Sequence, residues 1–229
     1  DAQQQAALQI RGNDPKDVPR LDPGNPRTHQ LVADIYEDLA ANTYFEGLLF
    51  HDDAYLRDDE VPAYGNGDPA TRTQQLIGFT QELKAAAERW RPKLVTVRNL
   101  FAQPVLQPHS EAWFAQRLDA FASAYDYTAL MAMPYMEQAD DPQQWLQQLA
   151  QRVGQQPHGF ENTIFELQTV DWRTGKPLPE GLLLEHSKLL LAAGVRHLAY
   201  YPDDFIGSRP SLPEAREAMS ARQFPYIER

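Results

Sequence analysis

The chain has no cysteine, which removes disulfides, thiolate nucleophiles and cysteine-based zinc sites together. That absence leaves the compartment open, because cytosolic and periplasmic proteins alike can lack cysteine. Long hydrophobic runs are missing too, and no apolar stretch reaches the length of about 18 residues that crosses a membrane. No basic-then-apolar segment opens the chain. Its first residues, Asp1-Ala2-Gln3-Gln4-Gln5, read as the middle of a protein, so any targeting signal or lipid anchor is expected upstream. Positive charge is scarce. Lys and Arg number 21 against 32 Asp and Glu, a formal charge of −11. Such a balance argues against a nucleic-acid partner, which needs a basic face. It is compatible with a cationic ligand, although an acidic surface more often serves solubility alone.

What is present is ordinary globular material. With 229 residues, 42% of them apolar and 23% charged, the chain can bury a substantial core as one α/β barrel or two small domains. Five apolar segments read as short buried strands: Phe45 to Phe50, Lys93 to Val97, Ala129 to Met133, Thr163 to Leu167 and Val195 to Tyr200. The last four begin at intervals close to the size of a βαβ unit. Helical three- and four-residue spacing fills the gaps, as in Leu76-Ile77-Phe79-Leu83, Trp113-Phe114-Leu118-Phe121 and Trp145-Leu146-Leu149-Val153. Alternation of this kind implies parallel strands with helices packed outside.

Punctuation agrees with that rhythm. Asn25-Pro26 and Asp141-Pro142 are N-cap and first-turn signatures, and Gly194 stands where a helix C-cap glycine belongs. The residues up to about Pro23, the polar stretch from Glu60 to Thr71 and most of the chain after Phe205 read as loop, with one short helix around Pro213 to Met219.

Parallel α/β folds bind ligands at the carboxyl ends of their strands, and all five strands here end in residues unsuited to packing alone. They run into His51-Asp52-Asp53, Arg98-Asn99, Tyr135-Met136-Glu137, Glu166 and Gln168 with Trp172 beyond, and Tyr200-Tyr201-Pro202-Asp203. Together they describe a polar and aromatic cleft suited to a carbohydrate. Aromatic faces pack on the C–H surfaces of sugar rings, and carboxylates and amides bond hydroxyls and amines. Glycoside hydrolysis needs a carboxyl acid plus a second carboxylate or a substrate acetamido group. Plainer readings stand beside this one. Asp52 and Asp53 are also N-cap residue types, Arg98 can pair with a neighbouring carboxylate, and Asp203-Asp204 can form a solvated turn. His51 beside two aspartates is more in keeping with a hydrogen-bonded group than with a metal ligand, and no metal or cofactor is expected.

The stretch Phe45-Glu46-Gly47-Leu48-Leu49-Phe50-His51-Asp52-Asp53-Ala54 resembles a motif of the PgaB/HmsF-type proteins that process poly-β-1,6-N-acetylglucosamine. Thr96-Val97-Arg98-Asn99, Ser110 to Gln116, Met131 to Glu137, Phe165-Glu166-Leu167-Gln168 and Tyr200 to Phe205 follow in that family's order. The resemblance implies a (β/α) TIM-type barrel, with the last five βα units present and the first three strands absent from this chain. It makes residues 1–229 one partial glycoside hydrolase domain. It also implies an endo-acting glycosidase that cleaves partially de-N-acetylated poly-N-acetylglucosamine, a biofilm exopolysaccharide, during export. Asp52 and Asp53 would be catalytic. His51, Arg98, Asn99, Tyr135, Glu137, Glu166, Gln168, Trp172, Tyr200, Tyr201 and Asp203 would hold substrate. An N-terminal deacetylase domain would precede this one in the same protein. The location would be periplasmic, associated with the outer membrane through an upstream segment. A non-catalytic polysaccharide-binding or export-guiding module using the same cleft is the alternative. Compared with the family pattern, the segment from Glu60 to Thr71 is short.

Overall fold

Asx-Pro pairs start the long helices because the Asx side chain takes up an orphan backbone N–H while proline lacks one to satisfy. Asn25 accepts from the Arg27 N–H at 2.9 Å ahead of the Pro26–Asn42 helix. Asp141 accepts from the Gln144 N–H at 3.0 Å ahead of Pro142–Gly154. Asp68 does the same for Thr71 at 2.8 Å, so the helix Pro69–Glu88 begins inside the stretch whose sequence reads as loop. These observations come from a computed structural model that describes residues 8–10, 12, 14, 16, 18–51, 55–60, 68–204 and 206–219. The chain divides into two compact units, Asp1–Tyr127 and Thr128–Arg229.

In the first unit, β1 (Gln9–Ile10) and β2 (Arg20–Leu21) form a short antiparallel pair within the segment expected to be loop. β3 (Gly47–Phe50) and β4 (Val95–Leu100) pair in parallel, with Phe50 beside Arg98. The strand β4 starts two residues later than its apolar run suggests, since Lys93 takes a positive φ of 65°. It continues through Arg98, Asn99 and Leu100. The Pro26–Asn42 and Pro69–Glu88 helices pack together. Ala40, Ala87 and Leu94 meet Phe45 and Leu48 in the core beneath them. Trp113 and Phe121 do not share one helix. Ala115, left-handed at φ 52°, closes Glu111–Phe114 before a separate helix, Leu118–Ala124.

The second unit holds β5 (Tyr127–Ala132), β6 (Thr163–Gln168) and β9 (His197–Tyr201), parallel and neighbouring in chain order. Leu130, Phe165 and Leu198 lie abreast, and so do Met131, Glu166 and Ala199. Phe160 of the short helix Gly159–Asn162 packs on Phe165, which marks that row as helix-facing. Between β6 and β9 lies a small antiparallel hairpin, β7 (Val170–Asp171) with β8 (Lys176–Pro177). Leu182–Ala192 ends at Gly194, whose φ of 98° matches its C-cap position. Val195 belongs to that helix end, its N–H bonding Leu190, so β9 starts only at His197. No described helix is long and apolar enough to cross a membrane.

Candidate functional site

Strand alternation decides which side chains can meet a ligand, because successive residues leave opposite faces of the sheet. In the first unit Arg98 shares its face with Phe50, which stacks against Tyr36 of the Pro26–Asn42 helix and tilts against Tyr125. Arg98 is therefore helix-facing and is 0% exposed. Its guanidinium lies 5.4 Å from the Phe121 ring centroid and donates to the His51 carbonyl at 3.2 Å. An arginine held like this supports the strand end from behind. Asn99 leaves on the opposite face and is also buried, at 2%. His51 is exposed at the end of β3. Asp52 and Asp53, the proposed catalytic pair, lie outside the described residues.

The described chain resumes at Tyr55 and is held by several contacts. Arg20 of β2 bonds both the Tyr55 carbonyl and the Glu60 carboxylate, and its guanidinium sits 4.0 Å over the Tyr55 ring. Glu60 is buried at 4% and also accepts the Arg57 N–H at 2.9 Å. A charge this deep needs such partners.

The second unit is richer in open groups. Trp172 and Tyr201, 42% and 44% exposed, stand 5.9 Å apart between ring centroids at 33°. Tyr201 lies abreast of Gln168 on the face that also carries Glu166. Tyr200 is abreast of Leu167 and so leaves β9 on the helix-facing side. The two tyrosines do not form one platform. Burial, and then the Asp203 charge, push the Tyr200 phenol up. Asp204 is a turn former, its carboxylate accepting the Ile206 and Gly207 N–H groups at 3.1 and 2.8 Å.

Tyr135 and Glu137 sit in the turn after β5, where Glu137 N–H bonds the Met133 carbonyl at 3.1 Å. Burial raises the Glu137 carboxyl above its ordinary range, the usual effect of removing water from an acid. A shift in this direction favours the protonated form that a general acid needs. The Tyr135 ring lies 6.4 Å from His186, whose pKa burial lowers. Arg173 reaches over the Tyr135 ring at 5.6 Å and is clamped by Asp171 at 2.9 and 2.8 Å. Trp172 thus turns toward Tyr201 while its neighbour turns toward Tyr135. Gln168 lies behind these groups, only 2% exposed.

A cavity of about 320 Å³ opens beside the end of β6, lined among others by Thr169, Leu178, Glu180, Arg209 and Glu214. None of these charged residues stands out in the sequence. They come from loops and a short helix with no periodic signal, and only the fold gathers them. Asp171 and Arg173 were better marked, flanking Trp172 directly. Among the described residues, no group of three or more His, Asp or Glu could hold a metal ion.

Comparison with known proteins adds three findings. The model of hypothetical glycosyl hydrolase family 13 matches residues 1–65 and 68–201. The poly-β-1,6-N-acetyl-D-glucosamine N-deacetylase of Escherichia coli K12 is 35% identical over 241 residues, which take in 92% of this chain and 36% of that protein. The protein of the same name from Escherichia coli O157:H7 matches to the same extent. The present chain thus spans little more than a third of the length of these curated relatives. The solved glycoside hydrolase domain of PgaB (BpsB) from Bordetella bronchiseptica matches with a TM-score of 0.85 and 39% identity, covering 93% of this chain and 69% of that one. The alternation of parallel strands and helices is the fold of that domain.

Proposed function

The chain belongs to hypothetical glycosyl hydrolase family 13, and from that premise we propose that it is an endo-acting glycoside hydrolase of partially de-N-acetylated poly-β-1,6-N-acetylglucosamine. The likeness to a solved glycoside hydrolase domain over 93% of the chain carries this reading. The Escherichia coli relatives are named for a reaction on the same polymer, but the chain spans only part of them. We place it in the periplasm, downstream of a deacetylase domain in the same protein and tethered to the outer membrane through an upstream segment.

Asp52 and Asp53 take the two carboxylate roles. A substrate with a 2-acetamido group supplies its own nucleophile, which leaves the protein to provide a general acid and an orienting carboxylate. Glu137 and Glu166 stand in reserve. Trp172, Tyr201 and Tyr135 offer ring faces, while His51 and Asp203 offer polar contacts and the buried Asn99 lies on the face opposite Arg98. Arg98 and Tyr200 act from the helix-facing side. Protonated amines of glucosamine units favour this acidic set over a fully acetylated, neutral polymer.

The deciding experiment incubates the protein with the partially deacetylated polymer and sizes the products. Shorter oligomers are expected. Polymer that stays bound but uncut would leave a non-catalytic binding module in place of an enzyme.

A further inference from the structure

Gln168 closes β6 with both ends of its amide engaged. The side-chain oxygen accepts the backbone N–H of Tyr135 at 2.8 Å and that of Met136 at 3.2 Å. The side-chain nitrogen donates to the Val170 carbonyl at 2.7 Å. One buried amide thus ties the turn after β5 to the corner where β6 passes into β7. That turn carries Tyr135 and Glu137. The corner leads directly into Trp172, which meets Tyr201, the residue abreast of Gln168 on β9.

The residue type is set by this geometry. Two N–H groups need one oxygen with two lone pairs, and the carbonyl needs a donor on the same short arm, which only a primary amide supplies. Asparagine is one methylene too short. Glutamate keeps the acceptor that crosses to Tyr135 and Met136 and, when ionised, loses only the local bond to Val170, two residues along the same chain. Methionine fills the space and makes neither bond. The oxygen has no lone pair left for a ligand, and 2% exposure leaves the side chain little contact with anything outside.

We propose that Gln168 is a positioning residue that fixes the spacing between the Tyr135 ring and the Trp172–Tyr201 pair, and with it the register in which a sugar chain lies on the second unit. The inference rests on the carbohydrate-processing reading above. Its distinguishing consequence is an asymmetry between two substitutions. A residue that touched the polymer through its amide nitrogen would suffer as much from Gln168→Glu as from Gln168→Met. A residue that holds Tyr135 and Met136 through its oxygen would suffer mainly from the second.

The test measures amide hydrogen exchange at Tyr135 and Met136 in the free protein, then affinity for partially deacetylated polymer. Gln168→Met should speed exchange at these two amides about tenfold or more while β5 and β6 stay protected, and should weaken polymer binding about tenfold. Gln168→Glu should keep exchange slow and affinity within about threefold of the parent. Parental exchange rates in a folded Gln168→Met protein would overturn the proposal. So would a Gln168→Glu protein with slow exchange and affinity as poor as that of the methionine variant. If Gln168→Met fails to fold, Gln168→Glu decides alone, since retention of both properties supports the clamp and loss of both refutes it. If the parent itself does not bind the polymer, the carbohydrate reading fails, and the exchange rates still decide what Gln168 holds.

Discussion

The two units handle polar residues at their strand ends in opposite ways. In the first, the described groups other than the exposed His51 are drawn inward. Arg98 is sealed over Phe121, Asn99 is buried, and Glu60 is enclosed by Arg20 and Arg57. In the second, the rings of Trp172 and Tyr201 stand open, and the turn after β5 carries a partly buried acid, Glu137. Enclosed charges and amides fix backbone, because leaving them unpaired costs more than the bond itself contributes. Open rings give area to a partner, because their apolar faces are still in water. On the proposed reading, the contrast divides the labour: the first unit would hold a strand end for chemistry, and the second would offer the surface along which a chain lies.

The largest test of that division is catalytic. Asp52→Asn and Asp53→Asn keep size and most hydrogen bonding while removing the carboxylate. At least one should lower polymer cleavage by a factor of about 10² or more, with binding retained. If both variants cut at the parental rate while Glu137→Gln does not, the chemistry belongs to the second unit and the comparison inverts.

Next come the supports. Arg98→Met should lower unfolding free energy by about 1–3 kcal/mol in a denaturant titration, since a buried hydrogen-bonded cation is lost. Trp172→Ala should barely change stability, within about 0.5 kcal/mol for an exposed position. It should weaken polymer binding about fivefold, from the loss of roughly 1 kcal/mol of ring contact. Polymer affinity that depends on Arg98 and ignores Trp172 would break the comparison at its centre.

Two smaller effects sharpen it through pH. Burial raises the Glu137 pKa, so ionisation works against the fold. The stabilising proton is fully present below the unfolded carboxyl pKa and is lost as pH rises through the folded one. Glu137→Gln should therefore gain melting temperature over the parent near pH 8 and show no gain near pH 4. Asp126 in the first unit has the opposite sign. Burial pushes its pKa up, but the Thr96 N–H and hydroxyl, both at 2.8 Å, together bring it below the ordinary value. Its contribution is present above the unfolded pKa and fades as pH falls. Asp126→Asn should cost no more than about 1 kcal/mol at pH 7, given its exposure, and nothing near pH 2.

The strands were legible because each is an apolar run closed by polar residues, and the long helices because Asn25, Asp141 and their prolines announce them. The faces were harder to read. Arg98 and Tyr200 belong by sequence to the cleft-end clusters, yet a one-residue step in a strand moves a side chain to the other side. Only the register with Phe50 and Leu167 shows which side that is. The β7–β8 hairpin is too short for any periodic signal and contains Pro177, a residue that argues against a strand. Gln168 was visible as a polar strand-end residue. Its three backbone partners come from segments that composition cannot bring together.

Gly47 shows why a motif is not a map of chemistry. It sits five residues before Asp52 in the stretch that carries the family likeness, and a β-carbon there would stand 2.7 Å from the Val95 carbonyl oxygen. That distance is well inside contact, so any side chain forces β3 away from β4 and loosens the strand that delivers His51. In a saturation library scored on cleavage, position 47 should look as intolerant as an active-site residue. Scored on folded yield, it should look the same, whereas Asp52 and Asp53 should pass. Running both screens side by side would separate the letters of this motif that react from those that only let two strands lie close.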